Sequence, residues 1–137
     1  MRRRIVTVVC LLTCLAIAIP MVAQQRAAAP DPLTGTWTGD WGPNNNDRNQ
    51  VSVELKLSGT ALTGTVKSTS PARADVTLTK STFTAATGAV HMEADATNPR
   101  GGPAVHYVID GKLANAAMTG SWNHDSTKGD FKLAKKP

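Results

Sequence analysis

The chain has 137 residues, a formal charge of +5 and two cysteines, and this length suits one domain rather than two. Three arginines at the very start carry much of the positive charge, and the chain beyond position 23 has a charge of about +2. A nearly neutral remainder offers no basic surface for phosphates, so we expect no nucleic-acid partner.

The N-terminal segment has the three parts of a secretory signal peptide. Arg2 to Arg4 form a basic start, Ile5 to Ile19 form an apolar run, and a small residue, Ala23, ends the segment. The apolar run is shorter than the ~20 residues that span a bilayer as a helix. We therefore predict a signal peptide over 1–23, cleaved near its last residue, and a secreted or periplasmic protein with no membrane span after cleavage.

The segments after the signal peptide differ sharply in pattern. Cys10 and Cys14 leave with the signal peptide, so the exported chain would have no disulfide and would be held together by its core alone. Residues 24–32 contain two prolines and no apolar periodicity, which predicts a flexible tether. We predict a β domain over 33–134 and a short basic tail over 135–137.

Within the predicted domain, apolar residues occupy every second position, which is the period of a half-buried strand. In chain order, strands are predicted at Thr34–Trp41, Val51–Ser58, Leu62–Lys67, Asp75–Thr79, Val90–Asp95, Ala104–Asp110, a segment ending at Trp122, and one around Phe131 and Leu133. Loops or turns are expected at Gly42–Asn49, Ser68–Arg73, Thr97–Pro103, Asp110–Gly111 and Asn123–Gly129. Phe83 breaks the alternation, so a bulge is expected near Lys80 to Thr82.

The number and spacing of the strands indicate the fold class. About eight short strands with hairpin-length connections are typical of an all-β, antiparallel, up-and-down barrel. A β-sandwich is the alternative, although a Greek-key sandwich needs longer crossings. A membrane barrel is not expected, because the outward positions hold Thr, Ser, Lys and Glu where lipid requires an apolar band.

Three segments share the pattern apolar, Thr, Gly, hydroxyl, large apolar: Leu33–Trp37, Leu62–Val66 and Met118–Trp122. In a strand, the first, third and fifth positions share one face. A glycine at the centre of that face lets the strand coil sharply or lets a large neighbour lie across it. Both uses favour a small closed barrel.

Two of these segments resemble known barrels. Gly35-Thr36-Trp37 resembles the Gly-x-Trp opening of lipocalin-type barrels, and Leu33–Trp37 with Ala61–Thr65 is similar to the first two strands of avidin-type barrels. The resemblance to these calycin-type folds implies an eight-stranded barrel with a ligand site at its open end. It also implies that Trp37 and Ser68, as positional matches, contact the ligand. The chain lacks the further tryptophans that wall a biotin site, so biotin is not implied.

The few aromatic residues are the best candidates for a binding site, because an eight-stranded barrel is either filled by its own side chains or holds one small ligand. The candidate ligand-binding residues are Trp37, Trp41, Ser68, Met92, Tyr107 and Trp122. The inward positions are almost wholly apolar, which predicts non-catalytic binding of a small apolar or amphipathic molecule. The alternative is a filled barrel that acts as a cell-envelope interaction protein through its outer surface.

Polar side chains on one predicted outer face have the chemistry of metal ligands. His91, Glu93 and Asp95 alternate along one strand and, with His106 on the next strand, offer nitrogen and oxygen ligands. Any exposed strand of polar residues produces this spacing, however. We therefore predict no metal site, no cofactor and no catalytic residue.

The sixth predicted strand is ambiguous about which of its faces is buried. We expect Val105, Tyr107 and Ile109 to point into the barrel. The opposite arrangement would place His106 and Asp110 inside, where they could transfer protons. A small barrel enzyme that uses His106 is therefore the third alternative.

Overall fold

The computed structural model describes residues 31–137, which form eight strands. The strands are β1 (Gly35–Asn44), β2 (Asp47–Ser58), β3 (Ala61–Ser70), β4 (Val76–Thr84), β5 (Ala89–Ala96), β6 (Val105–Ala114), β7 (Ala117–His124) and β8 (Thr127–Lys135). In this part of the chain there is no helix of the length and apolarity needed to cross a membrane. The predicted signal peptide and residues 24–30 of the predicted tether lie outside the described residues.

The strands form one closed antiparallel barrel in which each pairs with the next and β8 pairs with β1. The prediction of an eight-stranded up-and-down barrel is therefore confirmed, and the sandwich alternative is wrong. The closing seam extends from the pair Trp37 and Lys135 to the pair Gly42 and Asp130. Because the sheet closes on itself, the described residues leave no free edge to pair with another chain.

Several connections are shorter than predicted, because polar residues at the strand ends face solvent and still belong to the strands. The expected loop Gly42–Asn49 is a two-residue turn, in which the Asn44 side chain accepts hydrogen bonds from the backbone N–H groups of Asn46 and Asp47 at 2.9 and 3.0 Å. The loop expected at Ser68–Arg73 begins only after Ser70. The turn expected at Asn123–Gly129 is reduced to two residues between β7 and β8.

The hairpin turn predicted at Asp110–Gly111 is wrong, because both residues lie inside β6. The turn falls at Asn115, whose φ of 57° is in the left-handed region that Asn tolerates better than most residues. Gly111 has a packing role instead. A Cβ atom at this position would lie 2.8 Å from the Phe131 ring, so the glycine makes room for that ring.

The break in alternation before Phe83 is a bulge, as predicted. The register between β4 and β5 shifts between Leu78 and Lys80, so Thr79 is the extra residue. Beyond the bulge, Ser81 and Phe83 take the inward positions and both are buried. The extra residue shifts the alternation by one position, so that the apolar side chain of Phe83 points into the core.

Glycines of the repeated segment pattern permit close packing inside the barrel, as predicted. A Cβ on Gly64 would lie 2.8 Å from Leu55 Cδ2, and a Cβ on Gly120 would lie 2.8 Å from the Phe131 ring. Large side chains thus lie across both glycines, which is one of the two uses that the pattern indicated.

One end of the barrel is plugged by its own side chains. Leu33, Trp37 and Met118 are completely buried there. The Trp37 indole N–H donates to the Leu33 carbonyl at 2.8 Å, and the Asp31 carboxylate accepts the backbone N–H groups of Leu33 and Thr34, both at 2.9 Å. Hydrogen bonds from Thr34 lower the pKa of Asp31. The lead-in to β1 is therefore fixed beneath the barrel and closes it.

Ser81→Ala is expected to raise the free energy of unfolding by about 1 kcal/mol, because the buried Ser81 hydroxyl has no hydrogen-bond partner among the described residues. Urea denaturation of the two proteins measures this difference. Ser121→Ala, the same change at an exposed position of β7, serves as the control and should have little effect. A loss of stability in Ser81→Ala would contradict the packing described.

Candidate functional site

The half of the barrel opposite the plug contains a cavity of about 640 Å³. Its rim includes Pro71 to Ala74, between β3 and β4, and Thr97 and Pro99, between β5 and β6. In an up-and-down barrel these two connections lie at the same end as the turns that follow β1 and β7. The barrel therefore has one plugged end and one end where a cavity meets solvent.

One wall of the cavity is aromatic and is built from β1, β6 and β7. Trp41 packs edge-to-face on Trp122 and Tyr107, with ring centroids 5.0 and 6.0 Å apart. The Trp122 indole N–H donates to the Asp130 carbonyl at 3.2 Å, whereas Trp41 Nε1 has no hydrogen-bond partner among the described residues. These contacts hold three large rings against each other and present a rigid apolar surface to the cavity.

A glycine in β8 positions the centre of this wall. A Cβ on Gly129 would lie 2.6 Å from Trp122 Cζ2, so the indole of Trp122 lies directly over the bare backbone of Gly129. His124, the last residue of β7, stacks on Trp122 at 5.8 Å between centroids and lies 4.6 Å from the Tyr107 ring. The aromatic cluster thus continues to the open end of the barrel.

The opposite wall is aliphatic and consists of smaller side chains from β2 to β5. It includes Val51, Val53, Val66, Val76 and Ala94. Short side chains on these strands leave space that the large rings of the other wall do not fill, and this difference in size creates the cavity. The expectation that the interior is wholly filled therefore does not hold for the open half of the barrel.

The structure brings five of the six predicted ligand-binding residues together in the cavity lining: Trp41, Ser68, Met92, Tyr107 and Trp122. Trp37 does not lie with them. Its indole is completely buried and hydrogen-bonded to Leu33 in the plugged end. Whether Trp37 contacts a ligand, as the Gly-x-Trp resemblance implies, stays a prediction.

Sequence reasoning missed the rim of the cavity. It is lined by residues of the connection between β3 and β4, which are Pro71, Ala72, Arg73 and Ala74. A signal was available, because alternate connections of an up-and-down barrel lie at the same end. The connection after β3 must therefore share the end at which Trp41 leaves β1.

The predicted orientation of the sixth strand is confirmed, since Val105, Tyr107 and Ile109 line the cavity. His106 and Asp110 lie on the outer face instead, and each pairs with a different partner. Consequently, the arrangement that would place these two residues in the interior as a catalytic pair is wrong.

An outer face of β5 and β6 carries a chain of histidines and carboxylates. His91 contacts Asp110 at 2.7 Å and Glu93 at 3.1 Å, while His106 contacts Asp95 at 2.8 Å and Glu93 at 3.6 Å. Hydrogen bonds to Asp110 and then Glu93 raise the pKa of His91, and the bond from His91 lowers the pKa of Glu93. Among residues 31–137, no group of three or more His, Cys, Asp and Glu side chains is arranged to hold a metal ion.

His91→Gln is expected to cost stability at pH 5.5–6 but not at pH 9. A raised pKa in the folded state means that His91 stabilises the fold below its unfolded pKa of about 6.5, and that this contribution is lost as the pH rises through the folded value. The side chain is 34% exposed, so the loss should stay below about 1 kcal/mol. Urea titrations of both proteins at the two pH values measure it, and an equal loss at both would contradict a role for protonation.

Comparison with known proteins gives no family for this chain. No family model and no curated protein matches it. Solved structures do match, among them the apo form of Caenorhabditis elegans lipid binding protein 8. That protein is 13% identical, the match covers 79% of this chain and 98% of that chain, and the TM-score is 0.47. A likeness of this degree carries no inference about what this chain binds, and the resemblance to avidin- and lipocalin-type barrels stays a prediction.

Proposed function

We propose that this protein is an exported, non-catalytic binding protein that carries one small apolar or amphipathic molecule in its barrel. The observation that supports this most strongly is the cavity of about 640 Å³ at the open end. Its volume falls in the range of about 300–1,000 Å³ that is usual for small-molecule sites. Its lining is mainly Val, Ala, Ile, Met and aromatic side chains.

The chemistry of the lining favours an apolar occupant over water. Water in such a space finds few hydrogen-bond partners, and a stable buried water needs two to four. Each Å² of apolar ligand surface removed from water contributes about 25 cal/mol to binding. The preformed aromatic wall adds to this, because Trp41, Tyr107 and Trp122 already hold one another in place and need little ordering on binding.

Export is supported by the sequence of the first 23 residues, and the composition of the barrel is compatible with it. Residues 31–137 contain no cysteine, so this part of the chain folds without a disulfide in any redox compartment. The lead-in segment at Asp31 and Leu33 closes the barrel by hydrogen bonds and burial alone. A chain cut near Ala23 would retain the whole of this closure.

Titration with Nile red, a neutral dye whose emission shifts to the blue in apolar surroundings, tests the proposal. We expect saturable binding of one dye per chain with a blue-shifted emission, together with quenching of tryptophan fluorescence by the bound dye. Emission that never saturates, or that equals the signal of the urea-unfolded protein, would contradict a cavity that binds apolar molecules.

A further inference from the structure

Arg73 is the one charged residue among the described residues that line the cavity. It is exposed and lies in the connection between β3 and β4, so this cationic residue is at the boundary between the apolar interior and water. A guanidinium in this place presents several N–H donors in a fixed plane, which matches the geometry of carboxylate and phosphate oxygens.

The guanidinium of Arg73 is not neutralised by a carboxylate of the barrel. Within residues 31–137, no ion pair joins Arg73 to an acidic side chain. The carboxylate of Asp75, two residues further on, is in no ion pair with Arg73. The carboxylate of Asp125, on the turn after β7, contacts His124 at 3.4 Å, and Asp125 is not part of the lining.

The charge of Arg73 extends into the mouth of the cavity. Burial raises the pKa of the Tyr107 phenol, the positive charge of Arg73 acts in the opposite direction, and the negative charge of Asp125 adds a smaller rise. Tyr107 belongs to the aromatic wall and also lines the cavity. A ligand atom beside Tyr107 would therefore meet a phenol O–H donor and the positive charge of Arg73, which acts on Tyr107 more strongly than the negative charge of Asp125 does.

The interior beyond this mouth has no other charge, so a charged group of a ligand would be stabilised only at the rim. At the ~30 Å³ that a water molecule occupies in the liquid, the cavity has room for roughly twenty groups of that size. One hydrocarbon chain fits this space, whereas a lipid with two long chains does not fit whole.

From these observations we propose that the ligand is a single-chain amphiphile whose anionic head group, a carboxylate or a phosphate, is held at the rim by Arg73. This inference rests on the proposed function, since it assigns the chemical class of the molecule in the same cavity. The apolar chain lies between the aromatic and aliphatic walls, and the head group remains at the solvent boundary.

Competition against bound Nile red tests the assignment with three probes of equal chain length: dodecanoate, dodecyl phosphate and neutral dodecanol. We expect the wild-type protein to bind at least one of the two anions about tenfold more tightly than dodecanol at low salt. Arg73→Gln should remove most of that preference, because it should weaken the binding of the anions far more than that of Nile red or dodecanol, and Arg73→Lys should restore part of it. Salt at 1 M, where charges are screened beyond about 3 Å, should reduce the preference in the wild-type protein.

Arg100→Gln is the matched control, because Arg100 lies in the exposed connection between β5 and β6 and is not part of the lining. It should leave all affinities unchanged. Equal affinities for the anions and the alcohol, or an anion preference that survives in Arg73→Gln, would overturn the assignment of the head group. If Nile red still bound in that case, the proposal that the cavity binds apolar molecules would stand. A protein that bound no Nile red would overturn the proposed function as well. The anion that loses more affinity in Arg73→Gln, dodecanoate or dodecyl phosphate, shows whether the head group is a carboxylate or a phosphate.

Discussion

Trp37→Ala is expected to lower the free energy of unfolding by about 3–5 kcal/mol, the usual cost of removing a buried large aromatic side chain. Trp37 is completely buried, and its indole N–H is bonded to the Leu33 carbonyl that closes the barrel. The substitution leaves both a cavity and an unpaired buried carbonyl. Because small domains are stable by only about 5–15 kcal/mol, much of the variant should be unfolded in low urea.

Trp41→Ala provides the comparison for Trp37→Ala. Trp41 lines the cavity and is only partly buried. Its removal should therefore lower the free energy of unfolding less than Trp37→Ala does, and should weaken ligand binding more. Urea denaturation followed by far-ultraviolet circular dichroism measures the two stabilities without relying on tryptophan fluorescence. Equal losses in the two variants would contradict the division of the barrel into a plugged end and an open end.

Ala96→Trp is expected to weaken Nile red binding by at least about tenfold, which corresponds to ~1.4 kcal/mol. Ala96 is near the open end of β5 and lines the cavity, so an indole at this position would occupy space that the ligand needs. The barrel itself should remain folded, because the new side chain enters a cavity and not a filled core. Fluorescence titration of the variant and the wild-type protein measures the change.

Ala89→Trp is the matched control for Ala96→Trp, because it makes the same substitution at the other end of the same strand. Ala89 is exposed and is not part of the lining. It should bind Nile red as the wild-type protein does. If the two variants bound the dye equally well, the dye would not occupy the cavity.

The fold was predictable from the sequence because the alternation of apolar residues has a physical cause. One face of each strand is buried in the barrel, as in β2, where Val51, Val53 and Leu55 are buried while Ser52 and Glu54 are more exposed. Strand ends were predicted less well. Polar residues such as those in 44–49 and 123–128 look like loops in sequence, although backbone pairing with a neighbouring strand holds them extended.

The candidate site was only partly predictable, because alternation shows which residues point inward but not how far along the barrel they lie. Trp37 and Trp41 both point inward from β1, yet Trp37 fills the closed end and Trp41 lines the cavity. The place of Arg73 in the cavity lining could not be predicted, because the alternation of inward and outward side chains holds only within strands. The cavity itself depends on the difference in side-chain size between two opposite walls, and this is a property of the closed barrel.

The predicted signal peptide and the predicted alternative of an envelope partner also stay predictions. The signal peptide over 1–23 lies outside the described residues. The alternative of a cell-envelope protein partner concerns the outer surface, where the described contacts are ion pairs between neighbouring strands, such as Lys67 with Glu54 and Lys80 with Glu93. Pairs of this kind are common on exposed sheets and contribute little to stability.

Native mass spectrometry of the protein, equilibrated with a mixture of dodecanol, dodecanoate and dodecyl phosphate, tests most directly whether the barrel binds a small molecule. We expect one added ligand mass per chain in the wild-type protein and in Ala89→Trp, and little or none in Ala96→Trp. A bare chain mass in all three proteins, unchanged across the mixture, would show that the cavity does not bind these molecules.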